Sequence, residues 1–201
     1  MLVSAAAYHI DWSNLQQQVA LPCGYYFDIN GQKAAISGGE VELDGHLSRD
    51  WQLRFGAGFE HTDITSPGAL SIVGVTPGTR ILGTPAWNVT LGTVYSHQMT
   101  GELKGFVSAD YSYTGNSVAL LNGGDGSEST RPAYSLVNMR IGVDRGNSEV
   151  SINVRNLTNA KPNLGDIGYV GYAQYNAAGG IIPQVATLPP LTVLLQYQKF
   201  L

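Results

Sequence analysis

Apolar residues recur at every second position along eight separate stretches of this chain, and that period dictates extended strands with one oily face and one polar face. Residues 100–114 carry Leu103, Val107, Ala109, Tyr111 and Tyr113 on one parity against Glu102, Lys104, Ser108, Asp110 and Ser112 on the other. Residues 50–63 set Trp51, Leu53, Phe55, Ala57 and Phe59 against Gln52, Arg54, Gly56, Gly58 and Glu60. The pattern returns in 84–97 (Trp87, Val89, Leu91, Thr93, Tyr95), 133–145 (Val137, Met139, Ile141, Val143) and 147–158 (Val150, Ile152, Val154). Residues 34–47 gather Glu40, Glu42 and Asp44 opposite Val41 and Leu43. The terminal runs, 2–12 and 190–201, place Tyr8, Ile10 and Trp12, and Leu191, Val193, Leu195 and Tyr197, on their oily parities. Within these stretches nearly every ionisable residue falls opposite the large apolar ones, Lys199 being the main exception.

A soluble sandwich strand alternates in the same way, so parity alone does not say what each face meets. The connectors decide. The gaps at 13–32, 64–83, 115–132 and 159–189 are long, whereas tight turns near Ser48, Gln98 and Gly146 separate the other pairs. Long loops at one end, short turns at the other and an even strand count form the layout of an outer-membrane barrel. Each run also reaches the roughly 9 to 11 residues that a tilted strand needs to cross the hydrocarbon. The pattern predicts an aromatic belt at each end, with Trp12, Trp87, Tyr111 and Tyr113 toward the loops and Trp51, Tyr95 and Tyr197 toward the turns. The predicted fold is all-β: an antiparallel transmembrane β-barrel segment of eight long strands, covering 1–201 as one unit. Backbone amides in lipid find no water, so such a sheet must close or belong to something larger.

Composition narrows the function classes. Of 201 residues 13% are charged and the net charge is −4, which excludes a nucleic-acid binder, while 43% apolar residues exclude disorder. Tyr outnumbers Phe and Trp, 11 against 5 and 3, as suits rings at a polar/apolar boundary. No window offers the run of apolar residues that a spanning helix requires. MLVSAAAYHIDW lacks a basic n-region and is not a signal peptide, so an exported form is expected to carry further sequence upstream.

The segment 8–43, YHIDWSNLQQQVALPCGYYFDINGQKAAISGGEVEL, resembles a strand, outer loop and returning strand of TonB-dependent outer-membrane receptors. The matching positions are Ile10, Asp11, Trp12 and Gln16, then Gly38, Glu40 and Glu42. SINVRNLTNAKP (151–162) is similar to the NL-x-N/D pattern of the family's penultimate strand, and PPLTVLLQYQKFL (189–201) resembles its closing strand. That closing strand places Tyr197, Phe200 and Leu201 where the family ends on an aromatic with another two residues before it. The resemblance implies the last eight strands of a 22-stranded barrel without its plug domain or TonB-contacting segment. The intact receptor would sit in the outer-membrane lipid of a Gram-negative cell and import a siderophore, cobalamin or a saccharide by TonB coupling. This chain alone is not expected to transport.

Nothing in the residues points to catalysis, a cofactor or a metal. Glu40, Glu42 and Asp44 read as a polar ladder paired with Arg54, Arg140 or Arg155 on neighbouring strands. His9, His46, His61 and His97 are far apart, and NGGDGSES (122–129) is a lone copy of a calcium-repeat-like string. Cys23 has no activating partner in sight. The sequons Asn88-Val-Thr90 and Asn156-Leu-Thr158 fall inside predicted strands. Tyr169, Tyr172 and Tyr175, in the Gly-rich loop 159–189, are the candidate ligand-contacting aromatics. Two other architectures fit the alternation: a stand-alone eight-stranded barrel filled by side chains, and a soluble lipocalin-like barrel with the oily face inward.

Overall fold

The computed structural model describes residues 1–20, 26–121, 128–167 and 184–200. Eight strands, β1 (Leu2–Ala20), β2 (Tyr26–His46), β3 (Trp51–Ser66), β4 (Trp87–Thr100), β5 (Leu103–Thr114), β8 (Tyr134–Asp144), β9 (Ser148–Arg155) and β12 (Thr192–Lys199), form one antiparallel sheet. They stand side by side in chain order, with β1 and β12 at the two edges. Two hairpins, β6 (Ser117–Leu121) with β7 (Glu128–Arg131) and β10 (Gly165–Ile167) with β11 (Gln184–Ala186), lie in the connectors. The predicted fold class therefore holds, as an open sheet. No helix among the described residues is long and apolar enough to cross a membrane, which says nothing of strands.

The loop ends differ from expectation. The stretch 13–32 is not a plain loop: β1 runs on to Ala20 and β2 begins at Tyr26. A register shift around Asn14, whose φ is 59°, ends the strict alternation there. Period-two reading stops at such a bulge, because the extra residue swaps the faces. The segment 64–83 begins as the end of β3 and then makes a 3-10 helix, Gly68–Val73.

Cross-strand register assigns every side chain to a face, since antiparallel partners point the same way. One face carries Val3, Leu43, Phe55, Leu91, Tyr111 and Val137 in a single row, and Trp51, Tyr95, Val107, Ile141, Ile152 and Leu195 in another. These side chains are exposed or half-buried and none is buried: Ile141 is 56% exposed and Leu195 78%. On β3 the band runs nine residues, from Trp51 opposite Tyr95 to Phe59 opposite Trp87, which is one tilted crossing of a hydrocarbon slab. Phe59 and Trp87 pack at 4.8 Å between ring centroids, and Trp51 Nε1 donates to Thr93 Oγ1 at 2.6 Å. Beyond Phe59 the same face turns polar, with His61 bonded to Asp63 at 2.8 Å and His9 to Ser37 at 2.8 Å.

The first strand corrects one expectation. Val3, Ala5 and Ala7 share the apolar face with Leu43, Val41 and Gly39, so Tyr8, Ile10 and Trp12 stand on the opposite, charge-bearing face. Trp12 does not belong to the loop-side belt. Its neighbours in sequence misled because His9 and Asp11, the polar alternates, lie past the apolar band, level with Ser37 and Ala35.

The dry core is small and lies on the charge-bearing face at the loop end. Leu15, Ala34 and Ile64 of the sheet are covered by Leu70, Val75 and Ile81 of the 67–86 connector and by Val118 of β6. Ile64 N donates to Thr79 O at 2.8 Å, Gly78 N to Ile64 O at 3.0 Å, and Ile81 N to the buried Thr62 Oγ1 at 3.2 Å. Arg80 ties the connector to the next hairpin by donating to Thr84 O and Asn116 O at 3.1 and 3.2 Å. With its oxygen and nitrogen assigned by hydrogen bonding, the buried Gln32 amide donates to the carbonyls of Leu15 and Ile29, satisfying polar backbone at the bulge.

Candidate functional site

The charge-bearing face below this core is an open polar trough. Its depth comes from register. Glu40 and Glu42 stand opposite Gly58 and Gly56, so no side chain from β3 fills the space in front of either carboxylate. One hollow of about 320 Å³ is lined by Tyr8, Glu40, Glu42, Glu60, Asn88 and Thr90, and a second of about 520 Å³ by Ser4, Asp44, Arg54, Asp110, Ser112 and Asn138 among others. They share Glu42, Gly56 and Thr90, and together form one polar wall running from the rim core toward the turns.

The expected Arg pairing is matched in register at one position, and no ion pair forms there among the described residues. Arg54 is in register with Asp44, and across Gly92 with Asp110. Asp44 Oδ1 accepts from Gln52 Nε2 at 3.3 Å. Arg140 pairs instead with Glu149 on β9, with its guanidinium 5.1 Å over the Phe106 ring. Arg155 is opposite Thr192, five strands away from the carboxylate ladder. Proximity in register, not opposite charge alone, selects partners in a sheet. Glu40 and Glu42 thus remain facing the trough without a cationic neighbour among the described residues.

Tyr8 crosses the top of this wall. Its hydroxyl donates to Glu60 Oε2 at 2.9 Å, and the ring passes over Gly38, where a Cβ would come within 2.5 Å of the hydroxyl oxygen. Gly38, quoted above for its family likeness, is therefore the space that the Tyr8 ring occupies. With Ile10 and Trp12 beyond it, Tyr8 lays an apolar and aromatic strip along the rim of the polar face. Sequence reading missed this strip because it assigned all three residues to the other face.

The NL-x-N segment also finds a physical role. Asn156 (φ 51°) and Asn159 (φ 51°) both adopt left-handed backbone, which Asn tolerates better than most residues. The nearly buried Asn156 side chain accepts from Ala160 N at 2.8 Å and donates to Ala160 O and Pro189 O at 2.8 and 3.0 Å. Asn159 Oδ1 accepts from Leu191 N at 3.1 Å. The pair closes the base of the 159–191 connector and aims the chain into β12, and an engaged Asn156 amide is a latch, not a glycan acceptor. Cys23, the 122–127 part of NGGDGSES, and Tyr169, Tyr172 and Tyr175 lie outside the described residues. His9, His61 and His97 each bind an aspartate or serine, and no group of three metal-ligating side chains converges among the described residues.

Alternating strands, an uncovered apolar band of bilayer depth and a polar wall behind it make a distinctive combination, and comparison with known proteins agrees with it. The profile of the TonB dependent receptor-like β-barrel family matches residues 1–157. The chain belongs to that family. Among solved structures, it resembles the ferric-catecholate import receptor Fiu of Escherichia coli K12, at 20% identity and a TM-score of 0.63 over 97% of this chain. It also resembles the siderophore receptor PiuA of Acinetobacter baumannii, at 16% identity and 0.65 over 96%. FpvA of P. aeruginosa, solved with a heterologous pyoverdine and iron, matches at 21% identity and 0.56 over 81%. The chain spans about a quarter of these receptors, 24%, 25% and 22% of their lengths. No curated protein matches the sequence.

Proposed function

We propose that these eight strands are the closing portion of a TonB-dependent receptor barrel in the outer membrane, whose intact form imports a ferric siderophore. The observation that carries this reading is the back-to-back arrangement of the nine-residue apolar band and the polar trough in a chain of this family. In a barrel, such a sheet turns its band to lipid and its trough to the lumen. The edges of β1 and β12 are not paired with each other, which favours a larger barrel over a self-closed one of eight strands. A soluble barrel with the oily face inward would enclose the apolar band, yet Ile141 and Leu195 on that band are 56% and 78% exposed.

The siderophore class is favoured over cobalamin or saccharides by the three receptors that the fold resembles. In the intact receptor, Tyr8, Ile10 and Trp12 would meet the ligand at the mouth, and Tyr169, Tyr172 and Tyr175 on the connector between β9 and β12 would add aromatic surface. Coupling to TonB belongs to parts of a receptor outside this barrel portion, and the reading includes no catalytic step. Reading the coding DNA upstream of Met1 for an in-frame plug and export signal is the first test. The second is growth on a ferric siderophore as sole iron source, in cells whose other receptors are deleted. The expected result is growth that requires both this gene and TonB. Growth that persists without TonB would overturn the assignment.

A further inference from the structure

The apolar face has one hollow. About 440 Å³ of space lies between Met99 at the end of β4 and the side chains of Ile141, Val143, Val150 and Leu195. The space exists because Gly105, in register between His97 and Val143, contributes no side chain to this face. A Cβ at Gly105 would come within 3.0 Å of Met99 Sδ.

Two cations stand at the turn end of the hollow. Lys199, the charge that breaks the parity rule, is opposite Ser148 on the apolar face, one step beyond Tyr197 and Val150. Arg145 follows Val143 by two residues and begins the turn between β8 and β9, where its N–H donates to Ser148 O at 2.9 Å. Neither Lys199 nor Arg145 has an ion-pair partner among the described residues, and Glu102 shares a separate hollow with Arg145. A cation on an apolar stem at the end of an apolar hollow complements an anionic head on an acyl tail.

We infer that this hollow binds one anionic phospholipid of the leaflet at the turn end, with an acyl chain over Gly105 and the phosphate at Lys199 and Arg145. The inference rests on the reading that the apolar band spans a membrane. To test it, the intact receptor that carries these strands is inserted into vesicles of equimolar phosphatidylglycerol and phosphatidylcholine, extracted in detergent, and weighed by native mass spectrometry. The wild type is expected to retain one phosphatidylglycerol in preference to phosphatidylcholine. Lys199→Gln with Arg145→Gln should reduce that preference about 30-fold, about fivefold for each charge near the surface. Gly105→Leu should abolish retention with both charges in place, because the leucine fills the hollow while the flexible Met99 side chain yields.

Equal retention of the two lipids by inserted wild type, or unchanged phosphatidylglycerol retention in both variants, would overturn the site alone. Failure of the wild type to insert, seen as complete digestion by added protease, would overturn the membrane-spanning reading and the site with it.

Discussion

Two apolar regions of this molecule obey opposite rules. At the loop end, Ile64, Leu70 and Val118 are wholly buried and wrapped by protein on every side. Across the band, Leu91, Ile141, Val143, Ile152 and Leu195 are as apolar, yet they are between 37% and 78% exposed. A soluble domain would have spent these side chains on its interior, since monomeric soluble proteins rarely leave such wide contiguous patches open. The core, seven residues among those described, is a local device that folds one connector over the rim, and the band is a surface made for a different solvent. The lesson is that exposure in the isolated chain measures protein cover and not contact with water.

The contrast can be attacked at matched positions. The largest effect is expected from Ile64→Ala. It removes a side chain from a packed site that cannot refill, and should cost about 4 kcal/mol, with the 67–86 connector becoming protease-sensitive. Denaturant titration in vesicles with limited proteolysis would read both; a loss that leaves the connector protected would mean that the rim core is not what holds it.

Leu91→Arg, near the middle of the band, should cost about 3 kcal/mol of bilayer-inserted stability. A negligible cost in vesicles would mean that this face meets water. The smallest effect belongs to Leu91→Ala, which should cost about 1.5 kcal/mol, because lipid flows into the space and only the transfer part of the penalty remains. Should Leu91→Ala match Ile64→Ala in the same titration, the two apolar regions would be alike and the contrast would fail.

Much of this was legible before any coordinates. Alternation at Trp51–Phe59, Leu103–Tyr113 and Val137–Val143 marked the strands, because a pleat puts every second side chain on the same side whatever surrounds it. The turns near Ser48 and Gly146 were equally plain, Gly146 supplying a φ of 83°. The trough was half legible: Glu40, Glu42 and Asp44 were placed on one face, but not their neighbours Gly56 and Gly58, which leave them open. Arg140 was named as a partner for that ladder and went to Glu149 instead. The NL-x-N segment was noticed as a pattern, while its work as a latch on Pro189 and Leu191 lay 33 and 32 residues away in sequence.

The sequence by itself determined the period, the number of sheet strands, the short turns and the family likeness, because these follow from local spacing and local turn chemistry. The tertiary structure alone decided which parity of β1 joins the apolar face, that one long connector folds back as a small dry core, and that Gly105 opens a hollow at Lys199 and Arg145. Parity is a relative quantity within one strand. It becomes a face only when hydrogen-bonded register fixes that strand against its neighbour, and register is a property of two segments together.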